Sequence, residues 1–381
     1  MGEAVAGGTS STPVDEDTPS QARVAIVHEW LTGVAGSEKC VLEMRRAFPQ
    51  STVYTSVHSA EAVPELAGSV RTSLVQGWPG ATSSHLRALP VMPLAMRALR
   101  IGDEHDLLLR SFHTFATLPP NRQDLPELIY CYTPPRFLHR ATTLRGERAW
   151  VRAGMVASRP MRRLDRRLVR RADVVVGISR AVSDRIEAVY GRPAPVLHPP
   201  VDVAAFGASR RDDREDVFVF CSRLVPYKRP DLAIEAFRGS PHRLVVVGDG
   251  RMRRELAADL PPNVVLAGRL PDHELQDLLG RARGFVFPAE EDFGIAPVEA
   301  MAAGAPVIAF GRGGALDYVV DGANGVLVDE QRPEAFARAV DRVAAAEWSS
   351  SDIAASVQRF APGRFRRELI DLAESLIGGA A

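Results

Sequence analysis

FVFPAEEDFGIAPVEAMAAGAPVIAF, residues 285–310, contains a strand, a turn, a helix and a second strand in one uninterrupted stretch. The apolar run Phe285–Phe287 stops at Pro288, a polar loop carries Glu290, Glu291 and Asp292, and Gly294 opens a helix whose first turn holds Ile295 and Ala296. The second run, Pro306–Phe310, is apolar throughout. Continuous apolar runs mark strands buried on both faces, and parallel strands need a crossover between them, usually a helix. The stretch reads as one βαβ unit of a parallel sheet covered by helices.

The same rhythm extends in both directions. Upstream lie the runs Val217–Cys221, Leu244–Val247 and Val264–Ala267, separated by helical stretches, which together with Gly284–Phe287 and Pro306–Phe310 make residues 217–360 a doubly wound α/β domain. Further back, Val24–Val27, Thr52–Val57, Asp106–Leu109, Leu128–Tyr132 and Val174–Ile178 define a second α/β domain over residues 22–200. Between the two, LHPPVDVAAFGASRRDDRED (197–216) breaks the rhythm, and residues 201–216 are read as a linker. Residues 1–21, rich in Ser, Thr, Gly, Pro and acids, are expected to be a disordered tail. In RFRRELIDLAESLI (364–377), Phe365, Leu369, Leu372 and Leu376 share a face. Residues 361–381 are therefore assigned to a final amphipathic helix, expected to return to the N-terminal domain.

Composition narrows the function classes. The chain has 381 residues, 46% of them hydrophobic, and 47 basic against 47 acidic side chains, so it can build large cores and has no global field to attract nucleic acid. Cys40, Cys131 and Cys221 are scattered, with no Cys-x-x-Cys spacing, as in a reduced cytoplasmic protein. The start has no secretion-signal pattern and no run approaches the length of a membrane span. Only Lys39 and Lys228 among the 47 basic residues are lysines.

Ligands of open parallel sheets bind at the carboxyl ends of the strands, so the chemistry is sought in the loops there. The free amides at the Gly294 helix start suit an anion such as phosphate. Glu299 follows Glu291 by eight residues, which puts one carboxylate in the loop and the other about a turn into the helix, placed to hold hydroxyls. The plainer alternative is that Glu291 caps the helix and Glu299 is a solvated face residue. In CSRLVPYKRPDLAIEAF (221–237) a strand runs into Arg223, Lys228 and Arg229, cations that could neutralise a diphosphate or could be ordinary surface charges. Use of Lys at 228 in so arginine-rich a chain suggests that a compact, flexible charge is wanted there. HEWLTG (28–33) leads through Gly36 and Ser37 into a helix, a second strand–loop–helix cradle whose signal is weak by itself. No Asp-x-Asp outside the tail and no His or Cys pair has metal spacing, so no catalytic metal and no cofactor is expected. Gly-x-Ser-x-Gly and Gly-Lys-Ser/Thr are absent, and Gly248-Asp249-Gly250 lacks the third glycine of a dinucleotide fingerprint.

With these residues in view, the chain resembles glycosyltransferase family 4, of the GT-B fold: two Rossmann-like domains facing across a cleft. The likeness rests on Glu291 to Glu299 in EDFGIAPVE, continued by AMAAGAPVIA, on Arg223 through Ala236, and on VVGDG (246–250), HEWLTG, GISRAVSDRI near Ser179 and VLHPPVD at Val196. It covers nearly all of Arg23 to Leu376. It implies retaining transfer of a sugar from a nucleotide-diphosphate donor. By that resemblance Arg223 and Lys228 stabilise the departing diphosphate, Glu299 holds the ribose hydroxyls, and Glu291 with the backbone of Phe293 and Gly294 holds the donor sugar, beside Ile295 and Ala296. Arg269 and Leu270 would line the base, and Gly36 and Ser37 correspond to a Gly-Gly loop beside the phosphates. Ser37 departs from that pattern. So does Tyr132, which stands where close members have a His against the donor sugar and cannot serve as a base near neutral pH. His113 matches a separate histidine near the cleft, although a structural role suits it equally.

HEWLTG with GSEK and LVPYKRPDLAIEAF looks closest to GDP-mannose-dependent mannosyltransferases of bacterial surface polysaccharide assembly. The expected reaction is transfer of mannose from GDP-mannose to a glycan or lipid-linked acceptor. The alternatives are a UDP-sugar-dependent member, a GT-B epimerase, and a nucleotide-sugar-binding relative without turnover. Between Arg140 and Arg171 eleven Arg face only Glu147 and Asp165, with Trp150, Met155, Met161, Leu164 and Leu168 interleaved. This is a surface suited to anionic lipid at the inner face of the plasma membrane, or a solvated helix packing its stripe on the first domain.

Overall fold

The computed structural model describes residues 18–82, 91–119, 125–139 and 159–379. The expected tail up to residue 17 and the arginine-rich segment 140–158 lie outside those residues. The described chain folds around two six-stranded parallel sheets, ordered β3-β2-β1-β4-β5-β6 and β12-β11-β10-β7-β8-β9. The first comprises β1 (Val24–His28), β2 (Thr52–Thr55), β3 (Val70–Thr72), β4 (Leu107–Phe112), β5 (Glu127–Cys131) and β6 (Val174–Gly177). The second comprises β7 (Glu215–Cys221), β8 (Arg243–Val247), β9 (Val264–Gly268), β10 (Ala282–Phe287), β11 (Val307–Phe310) and β12 (Gly325–Val328). Each sheet winds outward in both directions from its first strand. The strand order therefore reverses between β1 and β4 in one domain and between β7 and β10 in the other, and such points open ligand crevices at the strands' carboxyl ends.

The inner strands β1, β4, β5, β10 and β11 are apolar and buried nearly along their whole length, as a sheet covered on both faces requires. Two charged side chains buried in these strands, Arg110 in β4 and Glu127 in β5, pair with each other. The Arg110 guanidinium also bonds the carbonyls of Ala116 (2.7 Å) and Pro119 (3.0 Å), so the cost of burying it is met by satisfied donors. The short β3 and β12 were not read from sequence, because VRT and GVLV are too brief to stand out from their surroundings.

The 201–216 segment is more structured than a plain linker. It contains the helix Val203–Gly207, capped by the Asp202 side chain on the Ala205 amide (3.1 Å), with Val203 and Phe206 buried. The C-terminal helix Pro362–Gly379 buries Phe365 and Leu369. It lies against the helix Gly36–Ala47 of the first domain: Arg366 meets Glu43, the Ser20 hydroxyl donates to Glu374 (2.9 Å), and Phe365 sits edge-on to Tyr130 with centroids 5.6 Å apart.

Candidate active site

In the second domain the loops that follow β7 and β10 flank the reversal point, and they carry the two strongest sequence motifs. After β10 the chain turns through Gly294, whose φ of 91° lies in the left-handed region and where a Cβ would sit 2.7 Å from Phe287 Cζ. The helix Ile295–Ala302 then starts with no side-chain cap, so the Ile295 and Ala296 amides are free of one. Glu291 does not cap this helix; its carboxylate accepts from the Lys228 ammonium, delivered by the loop after β7. Lys228 also lies 5.4 Å from the Tyr227 ring centroid, whereas Arg223 is exposed and donates to the Tyr227 hydroxyl. Glu299 is not a solvated residue. Its side chain is 9% exposed and faces Lys39, 3.3 Å away across the cleft. Burial pushes the Glu299 carboxyl up, Lys39 opposes that rise, and Asp272 and Asp202 add to it.

Arg269 and Leu270 follow β9, the outermost strand, and lead into the helix Asp272–Arg281; Arg269 is exposed and Leu270 half-buried. Their segment approaches the site through Asp272, which acts on Glu299.

The first domain presents the opposite wall. A Cβ on Gly36 would lie 3.1 Å from Ile295 Cδ1, so the absence of a side chain there lets the two loops meet. Ser37 directs its hydroxyl to Glu38 (3.0 Å), and its carbonyl accepts from Tyr132 (3.1 Å). Tyr132 also bonds the Ser111 hydroxyl (2.9 Å), and burial raises its phenol well above the ordinary range, which removes it as a base. His113 stands edge-on to Trp30 and Tyr132, with its Nδ1 2.9 Å from Glu29 Oε2.

Glu29 is the residue that sequence reading missed. It is fully buried at the end of β1, and its Oε1 accepts from the backbone amides of His113, Thr114, Phe115 and Ala116 at 2.8–3.2 Å. Burial alone would raise its carboxyl; His113 and His28 outweigh that and hold it below the ordinary range. The loop after β4 is thus fixed by Glu29 through its amides and by Arg110 through its carbonyls, across the reversal point of the first sheet. An acid directly after a buried strand, in HEW, was the available signal.

The domains are also joined beside the site. Asp292, next to Glu291, accepts from Arg136 and from Arg185 (2.6 Å), both of the first domain, and its carbonyl accepts from Ser179. Asp317 accepts from Arg180 (2.7 Å) and faces His198 (3.2 Å). Among the described residues, no group of three or more His, Cys, Asp or Glu is placed to hold a metal ion.

The arrangement is one wall of cations, open amides and a buried carboxylate against a second wall of small and hydroxyl-bearing residues. It suits a ligand that combines a diphosphate with vicinal hydroxyls. Residues 204–358 match the family described as Glycosyl transferases group 1. The chain is 32% identical over 216 residues to a D-inositol 3-phosphate glycosyltransferase of Acidothermus cellulolyticus, covering 47% of this chain and 48% of that protein. It is 33% identical over 205 residues to a GDP-mannose-dependent alpha-(1-6)-phosphatidylinositol monomannoside mannosyltransferase of Mycolicibacterium smegmatis, covering 46% and 54%. The chain spans about half the length of the curated relatives it matches. The crystal structure of Anabaena HepE in complex with UDP and glucose shares the fold with a TM-score of 0.67 at 18% identity, over 93% of this chain and 100% of that one. The match to the group 1 model is thus confined to residues 204–358, within a two-domain frame that has the GT-B fold.

Proposed function

We propose that the protein is a retaining glycosyltransferase that moves mannose from GDP-mannose onto a glycan or lipid-linked acceptor. The observation that carries this reading is the pairing of Lys228 with Glu291 beside the uncapped helix start, at the sheet's reversal point. We assign the diphosphate to the Lys228 ammonium and the Ile295 and Ala296 amides, and the ribose hydroxyls to Glu299. As the anomeric carbon–oxygen bond breaks, positive charge builds on the sugar and negative charge on the diphosphate. Lys228 and Arg223 act most strongly on that developing charge, which is how fixed cations accelerate a reaction. The acceptor oxygen bonds the anomeric carbon on the face the diphosphate leaves, and the acceptor's proton passes to a departing phosphate oxygen. Glu291 positions Lys228 and faces the donor sugar. We assign Arg269 and Leu270 to the base and Gly36 and Ser37 to the phosphate side. Neither a metal nor a cofactor is required by this scheme, because the chain's own cations meet the leaving-group charge.

Mannose and guanine are favoured by the sequence likeness to the Mycolicibacterium mannosyltransferase. A UDP-sugar donor is the second reading, favoured by the fold likeness to a protein that binds UDP. A non-catalytic nucleotide-sugar binder is the third, motivated by Tyr132 and Ser37; activity gained on Tyr132→His would favour it.

We place the acceptor at an anionic membrane surface. The helix Arg159–Arg171 exposes Arg163, Arg166, Arg167, Arg170 and Arg171, while Leu164 and Leu168 pack inward on the core, so lipid contact here is through charge and not through an inserted apolar stripe. No helix among the described residues is long and apolar enough to cross a membrane. Incubation with radiolabelled GDP-mannose and phosphatidylinositol-containing vesicles should move label into the lipid fraction, and the protein should float with those vesicles at low salt. Label confined to free mannose, with no flotation, would contradict the lipid acceptor.

A further inference from the structure

The two lysines of the chain each pair with one of the two glutamates spaced eight residues apart: Lys228 with Glu291, and Lys39 with Glu299. Lys228 comes from the same domain as its partner. Lys39 does not; it sits on the helix Gly36–Ala47 of the first domain, three residues after the glycine that meets Ile295. Both ammonium groups and Glu299 lie within electrostatic reach of Cys221, the last residue of β7, so the four groups share one region of the cleft.

We propose that Lys39 is a donor-positioning residue: supplied by the N-terminal domain, it keeps the Glu299 carboxylate in place for the vicinal hydroxyls of the donor's ribose, so the nucleotide site is complete only with both domains together. This rests on the glycosyltransferase reading above. The residue type supports it. A lysine reaches Glu299 Oε1 alone, whereas an arginine fork would take both oxygens and compete with the ribose. The half-exposed Lys39 side chain contrasts with the nearly buried glutamate, so the cation remains accessible from the cleft. The electrostatics run the same way. Glu299 faces Lys39 across the cleft, Asp272 and Asp202 on its own side, and Cys221; burial and the two aspartates raise its carboxyl, and Lys39 is the counterweight.

The test is calorimetric titration with GDP and UDP between pH 5.5 and 8, on the full chain and on Lys39→Met and Lys39→Arg, with the 2′,3′-dideoxy nucleotides as probes of the hydroxyls. Removing Lys39 lets the Glu299 carboxyl rise further, so protonation intrudes at higher pH. Lys39→Met should bind about 10-fold more weakly at pH 7, in line with loss of one charge-assisted contact. It should weaken further on acidification, at a higher pH than wild type, and lose the preference for ribose over dideoxyribose. Lys39→Arg should restore the wild-type pH profile with only partial affinity. Unchanged affinity and pH profile in Lys39→Met, with wild type binding normally, would overturn this inference alone. Failure of the wild-type chain to bind either nucleotide would overturn the glycosyltransferase reading and this inference with it.

Discussion

Lys228→Ala is expected to lower turnover by about 10²- to 10³-fold at saturating donor, the usual cost of removing one preorganised contact to developing charge. The side chain ends a short turn after β7, and among the described residues its ammonium meets Glu291 and the Tyr227 face. The loss should therefore appear in kcat, with the thermal midpoint nearly unchanged. A rise in KM with kcat unchanged would mean that Lys228 binds donor and transition state equally. Near-normal kcat would refute its assignment. Lys228→Arg should not restore full rate, because a planar fork held by Glu291 presents its charge differently from a compact ammonium.

Glu29→Ala should destabilise the first domain by about 3–5 kcal/mol, the range for breaking a buried, partnered charge. Four backbone amides and His113 would lose their acceptor at once. Equilibrium unfolding in urea measures this, and a loss below about 1 kcal/mol, the net worth of a single hydrogen bond, would contradict the role given to Glu29. The pH dependence has a definite sign. Glu29 is held below its ordinary range, so its contribution is present above the unfolded carboxylate value of about 4.3 and is lost as pH falls through the lower folded value. For His113, burial lowers the ring and Glu29 more than reverses that, so its contribution is full below about 6.5 and is lost as pH rises through the higher folded value. The difference in stability between wild type and Glu29→Ala should shrink as pH rises through the His113 transition.

Much of this architecture was legible in the sequence because parallel strands buried on both faces write themselves as unbroken apolar runs. VAIVH, LLLRSF and ARGFVF announce their strands, even with one buried arginine inside the second. The Glu291–Glu299 stretch was legible for a different reason: a strand, an acidic loop and a glycine-opened helix occupy one contiguous segment, so local order carries the geometry. What could not be read was contact between distant segments. Nothing in the spacing of Lys39 and Glu299, 260 residues apart, says that they meet; only the rarity of lysine hinted at it. Glu29 looked like part of a motif and proved to be a buried anchor for a loop more than eighty residues on. Asp292, adjacent to a residue singled out from sequence, gained its meaning only from Arg136 and Arg185 in the other domain. The helix Val203–Gly207 was hidden by the prolines and charges around it, yet its Phe206 is buried.

The central claim, that the cleft takes a nucleotide-diphosphate sugar through the chain's own cations, is tested most directly by a thermal-shift panel with GDP, UDP, ADP and their sugars in the presence of EDTA. A ligand at 100 times its dissociation constant stabilises by about 2.7 kcal/mol, and each kcal/mol moves the midpoint of a domain of this size by roughly 2–4 °C. The account predicts a shift of that size with GDP and GDP-mannose that persists in EDTA. No shift with any nucleotide, or one abolished by EDTA, would contradict it.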